Sequence, residues 1–300
     1  MVGDWRAEGV CAAMISARRT RLMRIVTTSW DDGDRADMKV AALLRARAIP
    51  GTFYVPIQSE ATPFPASVTE LIALAAEGFE IGAHTFSHSK LPDLSQEKLT
   101  HEVASCKDTL QQAIGKPVSM FCYPWGRFNQ KVVRELKRCG YDGARTTRML
   151  CADLRFSPFE MATTLQAYPH SRGAYLRNLM RPPKLARLFS YMTGLERCHN
   201  WVEMGRRLFD RMLDKGGMWH LYGHSWEIES LGLWSELQEM LDYVQGREGV
   251  LYLTNGELAR LLRNGHGLHM GLPPGAEQQQ ALRKLNEVFS PHQPKGIFLP

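Results

Sequence analysis

Short runs of β-branched and aromatic residues alternate with runs of helical hydrophobic spacing, one strand and one helix every 25 to 35 residues. This rhythm constrains the fold more than any other feature of the 300-residue chain. Strands joined by helical crossovers run parallel, and a parallel sheet is covered by the helices that connect it. Met23 to Ser29 reads as the first strand, and "ADMKVAALLRARAI" as a helix with Val40, Leu43 and Leu44 on one face. "GTFYVP" (51–56), "FEIGAH" (79–84), "VSMFCYP" (118–124) and "YDGARTT" (141–147) continue the strands. Ser67 to Glu70 forms a capping box, and Ser95 caps a helix carrying Leu99, Val103, Cys106, Leu110 and Ile114. Asn129 caps "QKVVRELKRC", which Gly140 ends. From about 165 to 215 the rhythm breaks, in a stretch with "RPPK" and many arginines that is expected to be an irregular or helical insertion. It resumes with the strand "GGMWHLYGH" (216–224), the helix "SELQEMLDYVQG" and a strand and helix in "GVLYLTNGELARLL". Five or more such units fit a barrel or an open, doubly wound sheet.

One domain is expected over 23–264, between an N-terminal extension (1–22) and a Gly-, Gln- and Pro-enriched tail (265–300). The longest apolar stretch of the extension, Val10 to Ile15, has six residues and precedes its basic cluster. That is the wrong order for a secretory leader, so a cytoplasmic protein acting on an intracellular substrate is expected. No apolar run approaches the ~18 residues of a membrane span. The net charge of +6 is spread without a dense Lys/Arg block, which argues against a nucleic-acid partner. The six cysteines include no C-x-x-C pair and suggest neither a disulfide framework nor a zinc finger.

Polar residues recur just past the strands, where parallel barrels carry their chemistry. Asp31 and Asp32 follow the first strand, His84 and His88 ("HTFSH") the third, "CYPWGR" the fourth, Arg145 the fifth, and His224 ("YGHSWE") the late strand. His-x-x-x-His with one carboxylate offers three ligands and an open position, as catalytic metal sites do. A structural zinc site would normally have four.

"SWDDG" followed about fifty residues later by "HTFSH" resembles the NodB-type polysaccharide deacetylases, carbohydrate esterase family 4. The likeness runs over roughly 24–150 and resumes at 216–260. It implies an irregular (β/α) barrel of about seven parallel strands. It also implies that Asp31 is the catalytic base and that Asp32, His84 and His88 bind a divalent metal, zinc for choice. Trp30 replaces the usual Phe of the first motif. The third family motif, R-x-P-Y/F-G, here reads Cys122-Tyr123-Pro124-Trp125-Gly126; the Trp125 N–H would help stabilise the oxyanion, but the arginine that orients the base is missing. Where the family's fourth motif places an Asp, this chain has Arg145, whose guanidinium is expected to reach Asp31 in its stead. The general acid of the fifth motif is His224 or His220, with His224 favoured because it lies just beyond the strand. Glu227, Trp226 and Asp153 are alternative supports for it.

The implied reaction is removal of the N-acetyl group of an amino sugar, with an N-acetylated carbohydrate as partner. A related hydrolase of a cyclic amide or formamide, and a non-catalytic carbohydrate-binding relative, are the alternatives. Trp201, Trp219, Trp226 and Trp234 could stack on a sugar or pack in the core.

Overall fold

The computed structural model describes residues 23–60, 62–180, 191 and 194–267. The expected extension 1–22, the "RPPK" stretch and the tail after 267 lie outside the described residues. Eight parallel strands form one sheet among the described residues. They are β1 (Arg24–Asp31), β2 (Thr52–Val55), β3 (Glu80–Ala83), β4 (Met120–Cys122), β5 (Gly143–Arg145), β6 (Leu165–Gln166), β7 (Gly217–His224) and β8 (Leu251–Tyr252). Their order is β5-β4-β3-β2-β1-β7-β6, with β8 against the start of β1. The sheet curls until its edges meet across one short segment. Met161 bonds to β5 (Met161 N to Ala144 O, 3.0 Å), while Ala167 bonds to β7 (Ala167 N to Tyr222 O, 2.8 Å). The result is the irregular (β/α) barrel.

Strand alternation sorts side chains between two environments. Along β1, Val26 and Trp30 face the helices and join the large outer core, whereas Ile25 joins a smaller inner cluster with Tyr54, Met120, Cys122 and Met218. Thr27, Ser29 and Asp31 share the inner parity of Ile25, and hydrogen bonds from Thr27 to Asn255 (2.8 Å) and from Ser29 to His220 (2.8 Å) satisfy the inner polar groups. Trp30, fully buried outside, fills the place of the smaller aromatic, and Gly223 makes room for it: a Cβ there would lie 3.1 Å from the indole.

The helices follow the sequence cues. Asp37–Arg45 buries Val40 and Leu44, with Leu43 partly covered. Val68–Ala76 opens on a complete Ser67–Glu70 capping box. The 96–114 helix buries all five of its periodic residues, each burial favourable by about 1.5–3 kcal/mol for a large aliphatic side chain. It contains a π turn at His101–Ser105. The 165–215 stretch, expected as an insertion, opens with strand β6 and closes with the 15-residue helix Trp201–Lys215 that packs on β7. A two-residue strand is too short for periodicity to reveal. The last helix, Asn255–Gly267, runs a little past the expected domain end. No helix among the described residues is long and apolar enough to cross a membrane.

Candidate metal centre and proton-transfer site

Register brings the polar strand ends together. Asp31 pairs with Tyr54 of β2 and with His224 of β7, and Cys122 of β4 pairs with Arg145 of β5. Past these ends, loops turn sharply. Asp32, Thr85, His88 and Trp125 have φ of 76°, 67°, 57° and 53°, four of the six non-glycine residues with positive φ among the described residues. Such backbone costs on the order of 1–3 kcal/mol per residue and persists only where the surroundings enforce it. Here they do. Asp34 accepts from Ala36 N–H (2.9 Å) and Phe64 N–H (3.0 Å), fixing the loop after β1. Glu102, in the π turn, accepts from Ser87 N–H (2.9 Å) and from the Ser87 and Ser89 hydroxyls (2.5 and 3.2 Å), fixing the loop between the two histidines. Gly126, at φ 66°, sits where a Cβ would fall 2.1 Å from the Thr147 hydroxyl, so this motif glycine is required by space as well as by conformation.

Asp32, His84 and His88 converge. Asp32 Oδ1 lies 3.5 Å from His84 Nε2 and 3.4 Å from His88 Nε2, and this buried oxygen has no hydrogen-bond partner among the described residues. Donors about 2.0–2.2 Å from a tetrahedral zinc stand roughly 3.3–3.5 Å apart, so the spacing fits a cation. The tautomers fit too. The Cys122 carbonyl can only accept, so His84 donates to it from Nδ1 (2.8 Å) and turns Nε2 toward Asp32, where a bound cation would take the place of the Nε2 proton. Burial, followed by the neighbouring His84, pushes His88 down to about 4, which keeps that ring neutral. The second oxygen of Asp32 accepts from Trp226 Nε1–H at 3.0 Å. A second donor group, Asp31, His84 and Cys122, also clusters. It suits a cation less well, because burial raises the Cys122 thiol and Asp31 already has a cationic partner.

That partner is Arg145. The guanidinium donates from Nη2 to Asp31 Oδ1 and is fully buried. Its faces lie against Tyr222 (4.7 Å to the ring centre) and Tyr54 (5.4 Å). Cys122, where the family has arginine, places its sulfur 3.7 Å from the other Asp31 oxygen. Thus the charge-assisted contact comes from the fifth strand. Burial works against the Asp31 carboxylate, but Arg145, with His84 and His224, holds it below the usual range.

His224 and His220, four residues apart on β7, occupy different worlds. His224 turns Nε2 toward Asp31 and Asp32, 3.9 Å from each, and Nδ1 toward Glu227 at 2.6 Å. Burial opposes charge on it, yet Glu227, Asp31 and Asp32 raise its pKa above the usual histidine value. His220 lies deeper, between Ser29 Oγ (2.8 Å) and the Ala162 carbonyl (3.2 Å), and burial plus Arg145 push it down to about 3. Of the three supports considered for His224, Glu227 makes the contact. Trp226 serves Asp32 instead, and Asp153 is an exposed partner of Arg155. Trp201 and Trp219 are core residues, and Trp234 packs under Lys39. The exposed Trp125 packs at a tilt of 56° against His88 (4.4 Å between ring centres) beside a cleft of about 690 Å³ lined by Gln58, Ser59, Glu60, Ser87, His88 and Trp125.

Sequence reasoning missed Gln166, which bonds to Glu227, and the bracing role of Glu102. A two-residue strand leaves no periodic signal for the first, and a π turn leaves none for the second.

Residues 18–144 match the family model described as polysaccharide deacetylase. A peptidoglycan-N-acetylglucosamine deacetylase of Bacillus cereus is 29% identical over 120 residues, 39% of this chain and 54% of that protein. A peptidoglycan-N-acetylmuramic acid deacetylase of Bacillus subtilis is 30% identical over 105 residues, 34% of this chain and 38% of that protein. The chain thus spans about half the length, or less, of these curated relatives. In fold it is similar to a candidate polysaccharide deacetylase of Mycobacterium smegmatis (TM-score 0.59, 14% identity, 82% of this chain and 92% of that one). It is also similar to the chitin deacetylase of Colletotrichum lindemuthianum (TM-score 0.51, 14% identity, 86% and 92% covered). Residues 18–144, with the strand-end aspartates and histidines they carry, are thus similar to the polysaccharide deacetylase family.

Proposed function

We propose that the chain is a metal-dependent deacetylase that hydrolyses the N-acetyl group of an N-acetylglucosamine-like sugar to acetate and a free amine. One observation carries the reading. An ionised, arginine-held carboxylate and a carboxylate-held histidine flank a three-donor cluster at the mouth of one barrel. The deacetylase names of the curated relatives support the substrate class.

Asp32, His84 and His88 would hold the cation, zinc by the preference of one carboxylate and two imidazoles. When bound, such an ion polarises an acyl carbonyl and acidifies water. Asp31 acts as the base: Arg145 occupies Oδ1, so Oδ2 is the oxygen that takes a proton from the attacking water. His224 acts as the acid: with Nδ1 bonded to Glu227, its raised pKa keeps a proton on Nε2 for the departing amine. The Trp125 N–H, on its left-handed turn, donates to the developing oxyanion. The groups carry opposite duties because their partners carry opposite charges: Arg145 favours a bare Asp31, and Glu227 favours a protonated His224.

The test offers zinc-loaded protein a set of N-acetylated oligosaccharides and a cyclic amide, with acetate and ring opening measured separately. Acetate from at least one sugar is the expected result. Ring opening without acetate from any sugar would overturn the proposal.

A further inference from the structure

The proton donor is held through one more residue than the motifs contain. Glu227 Oε2, which accepts from His224 Nδ1, also accepts from Nε2 of Gln166 at 3.0 Å. Gln166 ends β6 and is 7% exposed. Its Oε1 accepts from the Tyr222 hydroxyl (2.8 Å) and lies 2.8 Å from His170 Nε2. Hydrogen-bond capacity fixes the amide's orientation. The Glu227 carboxylate can only accept, so the amide nitrogen must face it, and Oε1 then faces two donors, Tyr222 O–H and His170 Nε2–H. Tyr222 is also the register partner of Gln166 and lies against Arg145. The amide is therefore clamped between two strands. Glu227, by contrast, sits on a seven-residue helix with three side-chain torsions to fix. Among the described residues, His224 and Gln166 are the hydrogen-bond partners of its carboxylate.

We propose that Gln166 is a positioning residue for proton donation: it sets the Glu227 carboxylate, which in turn sets the His224 ring. The proposal rests on the deacetylase reading of the same site. Gln166→Leu keeps side-chain bulk and removes both hydrogen-bonding ends. Gln166→Glu places a second carboxylate against Glu227.

The test compares two substrates and one spectroscopic signal. With an N-acetylated oligosaccharide, whose amine leaves only when protonated, kcat of both variants should fall about tenfold to a hundredfold, a part of the 10²–10⁴ that positioned acid catalysis supplies. KM and zinc affinity should stay as in the wild type. With an aryl acetate, whose phenolate leaves without a proton, kcat should be retained. In metal-free protein, the downfield Nδ1–H resonance of His224, assigned by its loss in Glu227→Gln, should shift or broaden in Gln166→Leu. An unmoved resonance with unchanged kcat overturns the proposal, and so does an equal loss on both substrates accompanied by a lower melting temperature. If the wild type releases no acetate from any sugar while the resonance still moves in Gln166→Leu, the deacetylase reading fails and the positioning of His224 through Gln166 stands.

Discussion

On one side of the site, Asp32, His84 and His88 hang from two strained loops, and most of their support is local: Asp34 braces the first loop, Glu102 the second, and the Cys122 carbonyl orients His84. On the other side, Arg145, Gln166 and His224 come from three strands, β5, β6 and β7, and are tied together by side-chain contacts through Asp31, Glu227 and Tyr222. The first side falls inside the family match at 18–144 and the second outside it. The difference has a physical reason. Binding a cation demands three donors at fixed separations, so the loops that present them tolerate little change. Orienting a base or an acid demands only the right charge at the right point, and neighbouring strands can supply it equally well. Cys122 and Arg145, side by side in register, are that freedom in one pair of residues.

The largest effect should come from breaking the cation side. His84→Ala is expected to lose tight zinc binding, measured by calorimetry, and to lower acetate release by more than about 10³-fold. Zinc affinity unchanged in that variant would break the division between the two sides. Next comes the base. Arg145→Ala leaves Asp31 buried without its partner, which should cost about 3–5 kcal/mol in chemical denaturation and lower kcat roughly a hundredfold, with zinc still bound. Adding Cys122→Arg to that variant returns a guanidinium from β4, and partial recovery of kcat is expected. No recovery would show that the fifth strand is not interchangeable with the fourth. Trp226, next but one to His224, crosses the divide by donating to Asp32 of the proposed cation cluster. Trp226→Phe should weaken zinc binding about 10–100-fold, a typical cost for loss of such support.

The smallest effect concerns the other histidine of β7. His220 has a folded pKa of about 3, below its unfolded value of about 6.5. The unfolded state therefore binds the extra proton as pH falls, so the stability that His220 contributes is full above pH ~6.5 and is lost on the way down. Between pH 7 and 5 this amounts to about 2 kcal/mol. Denaturation midpoints of His220→Gln should show that much less acid sensitivity than the wild type. His224, with its pKa displaced the opposite way, does not share this behaviour.

Much of this was legible beforehand for reasons that differ by residue. His84 and His88 share the short H-x-x-x-H spacing that two ligands of one ion can adopt, whereas Asp32, about fifty residues earlier, was legible from its place at a strand end. Arg145 could be suspected only because an arginine was missing at Cys122. His224 was separable from His220 by its position past the strand end. Gln166 escaped because β6 has two residues and opens a stretch whose composition breaks the strand–helix rhythm. Glu227 could be named but not chosen over Trp226 or Asp153, since hydrogen-bond partners depend on distances that sequence order does not encode. The closing of the barrel across 161–167 rests on backbone pairing with no side-chain signature.

In the proposed reaction, cation binding and proton abstraction are separate duties of adjacent aspartates. That division is tested most directly by measuring bound zinc and released acetate in the same samples of wild type and Asp31→Asn. Equal zinc in both, acetate from the wild type, and a rate at least about 10²-fold lower in the variant are expected. Acetate released by Asp31→Asn at the wild-type rate would contradict it.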